Sequence, residues 1–385
     1  MSWHRAQKIP VDSEQEQVTV FLAGDVMTGR GVDQILPHPC NPELRESCVD
    51  SALTYVALAE HAHGRVPAPV DPSYIWGDGR EILERFMPAA SIVNLETSIT
   101  TSNDFWPGKA VHYRMHPQNV RCLEAAGIDV CALANNHVLD FGRAGLMETI
   151  QTLRAAGIQS VGAGQDLDEA CGPVRIAVGN NTALLIFAFG SVSSGIPYEW
   201  AAGPSRPGVH LISDLSAATA SDIADRIRRS KQPGDIVVAS IHWGSNWGYQ
   251  VSPEQTKFAH ALICGGADVV HGHSSHHVRP VEIHDRKLIL YGCGDLVTDY
   301  EGIRGHEEWR GDLGAMYLAT FSSRDGALVR LRVAPMQMRR MRLARPASGD
   351  VDQLQAILNR ISRRFGIWFE QEEPYLLVLR DGGVE

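Results

Sequence analysis

Five short apolar segments of this sequence each end in polar residues of the kinds that bind metal ions. The segments are rich in Val, Ile, Leu and Ala and have the length of a buried β-strand. They are Val18–Ala23 before Gly24-Asp25, Ser91–Val93 before Asn94-Leu95-Glu96, Ile128–Ala134 before Asn135-Asn136-His137, Ile236–Ile241 before His242-Trp243-Gly244, and Ala267–Val270 before His271-Gly272-His273. Because ligands of open α/β sheets bind outside the carboxyl ends of the strands, this pattern predicts one site built from distant segments.

Segments with helical patterns separate these strands. Gly142–Ala156 carries apolar residues at helical spacing and ends at a glycine, and Ser252–Gln255 combines an N-cap, a Pro at the first helical position and a capping-box Gln. The alternation of strands and helices predicts an α/β fold. Val281–His284 and Lys287–Tyr291, joined by two turn residues, predict a hairpin and therefore a second, mixed or antiparallel sheet.

The chain length of 385 residues and the local composition suggest three parts. Residues 1–15 form a polar tail, and residues 16–335 form the main α/β domain. Within that domain, residues 31–80 contain six Pro and read as an elaborated insertion. Residues 336–385 contribute a C-terminal helix and strand that pack on the main domain.

Composition excludes several classes of function. The 35 Lys and Arg against 45 Asp and Glu give a net charge of −10, so nucleic acid is not an expected partner. The sequence has neither a run of 18 apolar residues nor an apolar signal core near its N-terminus, so we expect no membrane span and a cytoplasmic location. The seven Cys include no CxxC pair, which argues against a disulfide framework and a thiolate zinc site. Nothing in the sequence indicates the oligomeric state.

The residue types at the strand ends predict a divalent metal site. Carboxylate, amide oxygen and imidazole suit Mn, Fe or Zn. The candidates are Asp25, Glu96, Asn136, His242 and the cluster His271, His273 and His276. One ion, or two about 3.5–4 Å apart, would activate a water and polarise a phosphoryl or carbonyl oxygen. His137, next to a proposed ligand, would then be the catalytic acid or a transition-state donor.

Each candidate also has a structural interpretation. Asp25 and Asp295 follow glycines and could belong to turns, and Glu96 could cap the segment after it. Asn135 and Asn136 could form Asx turns, and His242 could be a packed core residue. The run His-Gly-His-Ser-Ser-His-His at positions 271–277 is the hardest to explain by packing alone.

The motif Gly24-Asp25-Val26-Met27-Thr28-Gly29-Arg30 resembles the opening motif of the bacterial capsule-synthesis CapA family, also called PgsA and tied to poly-γ-glutamate. Further motifs follow in the family's order: Asn94–Thr97, Ala134–His137, Asp140–Gly142, His242–Gly244, the segment with His273 and His276, and Gly292–Asp295. The resemblance covers residues 18–300. It implies a four-layer α/β/β/α sandwich, similar in fold to calcineurin-like metallophosphoesterases, with metal at the carboxyl ends of the strands.

Carried over by motif, the resemblance implies six metal ligands and one catalytic histidine. The ligands are Asp25, Glu96, Asn136, His242, His273 and His276, and the catalytic residue is His137. Two motifs differ from the family's relatives. Met27 stands where metallophosphoesterases have the histidine of Asp-x-His, and the last motif has two serines between His273 and His276. Which imidazoles bind metal therefore stays open, and His271 is a further candidate.

These residues predict a metal-dependent hydrolase that uses metal-activated water on an anionic substrate, either a phosphoester or a γ-glutamyl-type amide. Arg30, Arg114 and Arg279 are candidate substrate-binding residues because Arg binds carboxylate and phosphate in a bidentate manner. Their alternative role is to pair with the many acidic side chains. Asn135 and Asp295 are further substrate-binding candidates.

Two other functions stay open. The first is a soluble tailoring enzyme in a small-molecule pathway, which the lack of an apolar anchor favours. The second is a non-catalytic component of poly-γ-glutamate or capsule synthesis, which Met27 favours because its side chain offers no hard ligand.

Overall fold

The computed structural model describes residues 17–47, 49–179 and 181–382, so the polar tail over 1–15 lies outside the described residues. Elements are numbered in chain order. The first sheet has ten strands: β1 (Gln17–Val26), β2 (Ala90–Leu95), β5 (Val130–Ala132), β6 (Gln159–Val161), β16 (Asp295–Val297), β17 (Leu313–Ser322), β18 (Leu328–Met338), β19 (Leu343–Ala344), β20 (Ile367–Glu373) and β21 (Leu376–Asp381). Its main order is β20-β21-β18-β17-β1-β2-β5-β6. The half from β1 to β6 is parallel, and the pairings from β1 through β17 to β20 are antiparallel.

The second sheet has seven strands: β8 (Val174–Ala177), β9 (Ala183–Ser191), β11 (Leu211–Ile212), β12 (Asp235–His242), β13 (Val269–His273), β14 (Val281–His284) and β15 (Lys287–Leu290). The strands β9, β12, β13 and β15 are parallel, whereas β14 pairs with β15 in antiparallel orientation. The predicted hairpin and the predicted mixed sheet are therefore both present. Two short ladders complete the strands: β3 (Ser98–Ile99) with β4 (Arg114–Met115), and β7 (Ala163–Gly164) with β10 (Gly208–Val209).

The α-helices of the described residues are α1 (Gly31–Ile35), α2 (Leu53–His63), α3 (Gly79–Phe86), α4 (Arg121–Ala125), α5 (Gly142–Ala155), α6 (Leu167–Cys171), α7 (Ala217–Ser230), α8 (Pro253–Cys264) and α9 (Ser348–Ser362). The predicted capping box of α8 is formed: Ser252 Oγ accepts from the Gln255 amide, and the Gln255 side chain accepts from the Ser252 amide. None of these helices combines the length and the hydropathy that a bilayer crossing requires.

Three apolar cores define four layers. The first core lies between the first sheet and helices α1–α5, and the second lies between the two sheets. The third lies between the second sheet and helices α7 and α8. Alternate residues of each central strand enter different cores: in β12, Ile236 and Val238 face the other sheet, whereas Val237 and Ala239 face the helices. The α/β/β/α sandwich implied by the sequence resemblance is confirmed.

A β-bulge at Gly24 changes the direction of the residues at the end of β1. Val20 and Leu22 face the second sheet, while Phe21, Ala23 and then Val26 face the helices, so the alternation is reversed between Ala23 and Val26. The register of β1 against β2 shifts at the same point. A bulge re-aims the side chains that follow it. Asp25 is thereby directed to the side of the second sheet.

The C-terminal residues belong to the same sandwich. The suggested boundary at 335 falls inside β18, and β21 pairs with β18 through Arg332 and Val333. The apolar face of α9, which includes Leu354 and Leu358, enters the core between the sheets. The hairpin of β20 and β21 thus widens the first sheet, and α9 covers an open side of the inter-sheet core.

Candidate metal centre

Strand ends from both sheets meet at one edge of the sandwich. In the first sheet, Asp25 on β1 is the register partner of Asp295 on β16. In the second sheet, His242 on β12 is the register partner of His273 on β13. Two carboxylates of one sheet therefore face two imidazoles of the other. Like charges on neighbouring strands are unfavourable, so Asp25 and Asp295 need a compensating positive charge.

Two overlapping groups of side chains have the spacing of metal ligands. Asp25, His242 and His273 form one group, and Asp25, His276 and Asp295 form the other. Within each group the ligand atoms lie within 4.8 Å of one another, and all five residues are buried. His242 Nδ1 lies 2.8 Å from His273 Nδ1, and His276 Nδ1 lies 3.0 Å from Asp295 Oδ1. Asp25 is common to both groups.

The electrostatics of these groups fit a divalent cation. Burial and the charge of Asp295 raise the pKa of Asp25 to about 7. Burial also raises the pKa of Glu96 well above its ordinary value, with Asp25 adding to the effect. Burial lowers the pKa of His242, which favours the neutral form that binds metal. Asp295 Oδ2 is buried and has no hydrogen-bond partner among the described residues. Burial alone would lower the pKa of His276, but the charge of Asp295 outweighs burial and raises it, so that imidazole supplies part of the compensating charge. A cation would supply the rest and the missing partner of Asp295.

Glu96 and Asn136 lie beside these two groups. Asn136 Oδ1 is 3.0 Å from His242 Nε2. Asn94 Nδ2 donates to Asp25 Oδ1 at 2.7 Å and lies 3.4 Å from Glu96 Oε2. Asn94 therefore orients both carboxylates, a role that sequence reasoning missed. Its signal was available, because Asn94 follows Ile92 at the strand spacing of two and Ile92 faces the second sheet.

His137 is part of a buried chain of polar groups with Asp140 and Lys109. His137 Nδ1 lies 2.7 Å from Asp140 Oδ2, and His137 Nε2 faces Glu96 Oε1 at 3.7 Å. Lys109 Nζ contacts Asp140 and lies 3.2 Å from His137 Nδ1. Burial and the Lys109 charge lower the pKa of His137 to about 4. The imidazole is thus neutral at pH 7, and the hydrogen bond to Asp140 assigns its proton to Nδ1.

His271 lies beneath the centre and faces protein groups with both ring nitrogens. Its Nε2 is 2.8 Å from the carbonyl oxygen of Ala23, and its Nδ1 is 3.1 Å from Ser240 Oγ. The same hydroxyl lies 2.9 Å from His273 Nε2. The contact with Ser240 leaves Nδ1 as the nitrogen of His273 that faces His242 and Asp25. These contacts give His271 and Ser240 the geometry of residues that orient a ligand.

Arg30 is close to the centre but is held by acidic and aromatic side chains. Its guanidinium donates twice to Asp299, at 3.0 and 2.6 Å, and once to Glu46 at 3.0 Å. It lies over the rings of Tyr55 and Tyr113, at 3.8 and 4.3 Å. This pairing is the alternative that the sequence left open for the arginines.

The other substrate-binding candidates also have protein partners. Arg114 donates to the carbonyls of residues 41 and 102, and Arg279 donates to those of residues 245 and 250. Burial lowers the pKa of Arg279 to about 10. Asn135 donates to Asn94 Oδ1 and accepts from the His137 amide, so it shapes the loop that carries His137. Asp295 alone of the five lies in the metal-ligand groups.

Several further polar residues of the site were missed by sequence reasoning. Asp140 lies in a motif that the sequence singled out, three residues after His137, so its spacing was a usable signal. Lys109 and Asn246 lie in loops without periodic patterning, where the sequence gives no spatial signal. Asn246 Nδ2 is 3.1 Å from His276 Nε2, and its carbonyl accepts from the His276 amide at 3.0 Å. The loop after β12 thus fixes the second ligand group.

Residues 19–300 match the family described as bacterial capsule synthesis protein PGA_cap. Over 351 residues the chain is 51% identical to the probable polyglutamine synthesis accessory protein Rv0574c of Mycobacterium tuberculosis strain H37Rv, which covers 91% of this chain and 92% of that protein. It is 25% identical over 331 residues to the capsule biosynthesis protein CapA of Bacillus anthracis, covering 84% of this chain and 68% of that one. Among solved structures, the 5'-nucleotidase precursor of Thermus thermophilus covers 89% of this chain and 58% of its own, at 13% identity and a TM-score of 0.43.

Proposed function

This chain belongs to the bacterial capsule synthesis protein family PGA_cap, and on that premise we propose that it is a metal-dependent hydrolase acting on an anionic substrate. One observation carries the proposal: two buried metal-ligand groups share Asp25, directly beside the paired His137 and Asp140. A purely structural cluster has no need of a neutral histidine whose free nitrogen faces the ligands.

We assign the ligands from these contacts. Asp25, His242 and His273 would hold one divalent ion, and Asp25, His276 and Asp295 would hold a second. Glu96 and Asn136 would complete the coordination. Asn136 contacts His242, and Glu96 lies beside Asn94, which donates to Asp25. Met27 stands where metallophosphoesterases have a histidine. In this chain His276 would supply the imidazole of the second group, so the second ion would still have a nitrogen ligand. A divalent ion bound here would lower the pKa of a water molecule and polarise the substrate's phosphoryl or carbonyl oxygen. Mn, Fe and Zn all suit this donor set.

The chain's own residues then move the proton. His137 Nδ1 donates to Asp140, so the lone pair on Nε2 faces the ligands. Nε2 can accept a proton from the attacking water and return it to the leaving oxygen or nitrogen. Burial alone would raise the pKa of the Asp140 carboxyl, but the Lys109 charge and the contact with His137 outweigh burial and lower it, so Asp140 stays ionised. Lys109 and Asp140 are therefore positioning residues for His137.

For the substrate we favour a γ-glutamyl-type amide over a phosphoester. The support is the 51% identical relative, whose name refers to polyglutamine synthesis, and the Bacillus relatives named for capsule or PGA biosynthesis. The guanidiniums of Arg30, Arg114 and Arg279 are paired with protein groups, and Lys109 is paired with Asp140, so a bound divalent ion would be the main attraction for the substrate anion. In this assignment the arginines stabilise the loops around the centre.

The test is a comparison of His137→Ala with the wild-type chain, each loaded with Mn²⁺. Two substrate sets are assayed, γ-glutamyl peptides and aryl phosphoesters. We expect equal metal content and a turnover on the true substrate that is about 10²–10⁴-fold lower in the variant. Asp25→Asn serves as the control that removes metal. Equal turnover of His137→Ala and wild type would contradict the catalytic assignment. Failure of the wild type on both substrate sets with Mn²⁺, Fe²⁺ and Zn²⁺ would contradict the hydrolase.

A non-catalytic role in polymer synthesis is the second candidate, because the 51% identical relative is named an accessory protein. In that case the metal centre would hold the two sheets together and His137 would be dispensable. Polymer output in cells separates the two functions. A hydrolase requires His137 and Asp25 for output, whereas an accessory component requires Asp25 for stability and tolerates His137→Ala.

A further inference from the structure

A second cluster of metal-ligating side chains lies at the far edge of the second sheet. His260 projects from α8, and Glu282 and His284 lie on the edge strand β14. Their ligand atoms all lie within 4.8 Å of one another. His260 Nε2 is 2.7 Å from Glu282 Oε1, and the rings of His260 and His284 stack at 3.8 Å with 2° between their planes. No part of the centre described above includes these three residues.

The spacing of these residues follows from the two elements that carry them. Glu282 and His284 are two positions apart on a strand and so share one face. On the helix, Cys264 is four positions after His260 and lies on the same side. Cys264, His284 and Asp285 form another group whose ligand atoms are within 4.8 Å of one another. His284 thus belongs to two groups, and the helix, the strand and the turn after it carry five possible ligands.

Glu282 is oriented as a metal ligand commonly is. It is buried, and its second oxygen, Oε2, accepts from the Tyr291 hydroxyl at 2.7 Å. Tyr291 is fixed between the ring of Trp243 at 6.1 Å and that of Phe365 at 5.5 Å. A hydrogen bond from a rigid group to the outer oxygen of a ligating carboxylate tunes and orients that ligand. The side chains of His260 and His284 are about one-third exposed, at 32% and 28%, so an ion from solvent can reach their nitrogens.

We propose that His260, Glu282 and His284 bind a divalent transition-metal ion of the zinc type, which clamps α8 to the edge strand β14. Two imidazoles and one carboxylate are a common zinc ligand set. Zinc holds its ligands about 2.0–2.2 Å away, which puts them about 3.3–3.5 Å from one another. The ligand atoms are close enough for this, but two parallel stacked rings cannot both aim a nitrogen lone pair at one ion, so binding requires one imidazole to turn out of the stack. The alternative to a metal site is a pair of ion pairs, His260 with Glu282 at 2.7 Å and His284 with Asp285 at 3.8 Å. The clamp also secures an edge strand, whose exposed groups are otherwise open to unwanted pairing.

Zinc stoichiometry tests the proposal directly. The full-length chain, stripped of metal and dialysed against buffered Zn²⁺, is compared with His284→Gln and with Glu282→Gln. His61→Gln, a substitution at an exposed histidine of α2, is the matched control. We expect each cluster variant to bind one zinc equivalent less than wild type and the control to bind the same amount. Circular dichroism of the stripped proteins checks that all of them are folded.

A thermal melt in the Asp25→Asn background separates this site from the proposed centre. In that background, zinc should still raise the Tm, and adding His284→Gln should abolish the increase. Because His284 is partly exposed and on an edge strand, its substitution leaves the fold intact. Equal zinc content in wild type, His284→Gln and Glu282→Gln would overturn the proposal. It would mean that the cluster forms ion pairs and binds no metal. A zinc effect on Tm that survives His284→Gln would overturn it as well.

Discussion

Asp25 is the residue on which both ligand groups of the centre depend. We expect Asp25→Asn to lose both bound ions, whereas Asp295→Asn and His242→Ala should each lose one, because each of those belongs to a single group. Elemental analysis of Mn²⁺-loaded protein measures this difference. Loss of a ligand should exceed the roughly 10–100-fold drop in affinity that accompanies loss of an orienting partner. Equal losses in all three variants would indicate one ion rather than two.

Lys109 supplies a prediction that separates positioning from metal binding. Its ammonium contacts Asp140 and lies 3.2 Å from His137 Nδ1. Lys109→Met should leave metal content unchanged and lower kcat by about 10-fold or more, because the buried carboxylate of Asp140 loses its positive partner and the imidazole its fixed orientation. Steady-state kinetics and elemental analysis on the same preparation give both quantities. Lys109→Arg keeps the charge and should recover part of kcat. A variant with full kcat would exclude the positioning role.

For individual residues, the sequence predicted which residue types form the site better than it predicted which residues contact each other. The sequence identified Asp25, His242 and His273 because each follows an apolar strand, and the structure brings all three together. It did not foresee that Arg30 pairs with Asp299, since 269 residues separate the two. Nor could it distinguish His271 from His273, because both lie on the same face of β13. Only the contact of His271 with the Ala23 carbonyl, from the other sheet, separates them. Their assignments as ligand or support stay predictions.

Among the elements, β1 depends on the bulge at Gly24. A Cβ added there would lie 2.0 Å from the carbonyl oxygen of Gly294, a backbone atom that cannot move without displacing β16. We therefore expect Gly24→Ala to destabilise the fold by about 1–3 kcal/mol, as overpacking does, and to weaken metal binding by turning Asp25. Urea unfolding and metal titration measure the two effects.

Gly349 in α9 offers the matched control for Gly24. A Cβ there meets no atom within 4 Å. Gly in the middle of a helix costs roughly 0.5–1 kcal/mol relative to Ala, and less is expected for Gly349 in the first turn, so Gly349→Ala should leave the unfolding midpoint unchanged or slightly raised. Unaltered metal affinity in Gly24→Ala would show that the bulge does not aim Asp25.

Elements with strong local signals were predicted well. The capping box of α8 and the hairpin at 285–286 depend only on neighbouring residues, and both are formed. The long antiparallel strand β17 was not foreseen, although it is a central strand of the first sheet. Its sequence is apolar almost throughout, and periodicity alone does not distinguish a buried strand of this kind from a buried helix segment. Unlike the five predicted strands, it has no metal-ligand residue type in the two positions after it that would draw attention to it.

For the whole molecule, the four layers follow from the number of buried faces. Both sheets have apolar residues on both faces, so each must be covered twice: once by helices and once by the other sheet. Residue patterns alone do not say how the sheets are placed against each other, because apolar packing is non-directional. The polar strand ends supply that information. The carboxylates of β1 and β16 lie against the imidazoles of β12 and β13, so that both sheets supply ligands to one site.

The last prediction follows from that placement. Since the centre takes Asp25 and Asp295 from the first sheet and His242 and His273 from the second, bound metal links the sheets and removes the repulsion between the two carboxylates. Stability should therefore rise with metal, by about 2.7 kcal/mol for each bound ion when free metal is 100 times Kd. Calorimetry of the wild-type chain with EDTA and with Mn²⁺ should show the higher Tm with Mn²⁺. Asp25→Asn should show a much smaller difference, and without metal it should melt above the stripped wild type, because one of the repelling charges is gone. A Tm of the wild type that does not respond to Mn²⁺ would mean that the two sheets are held by their apolar core alone.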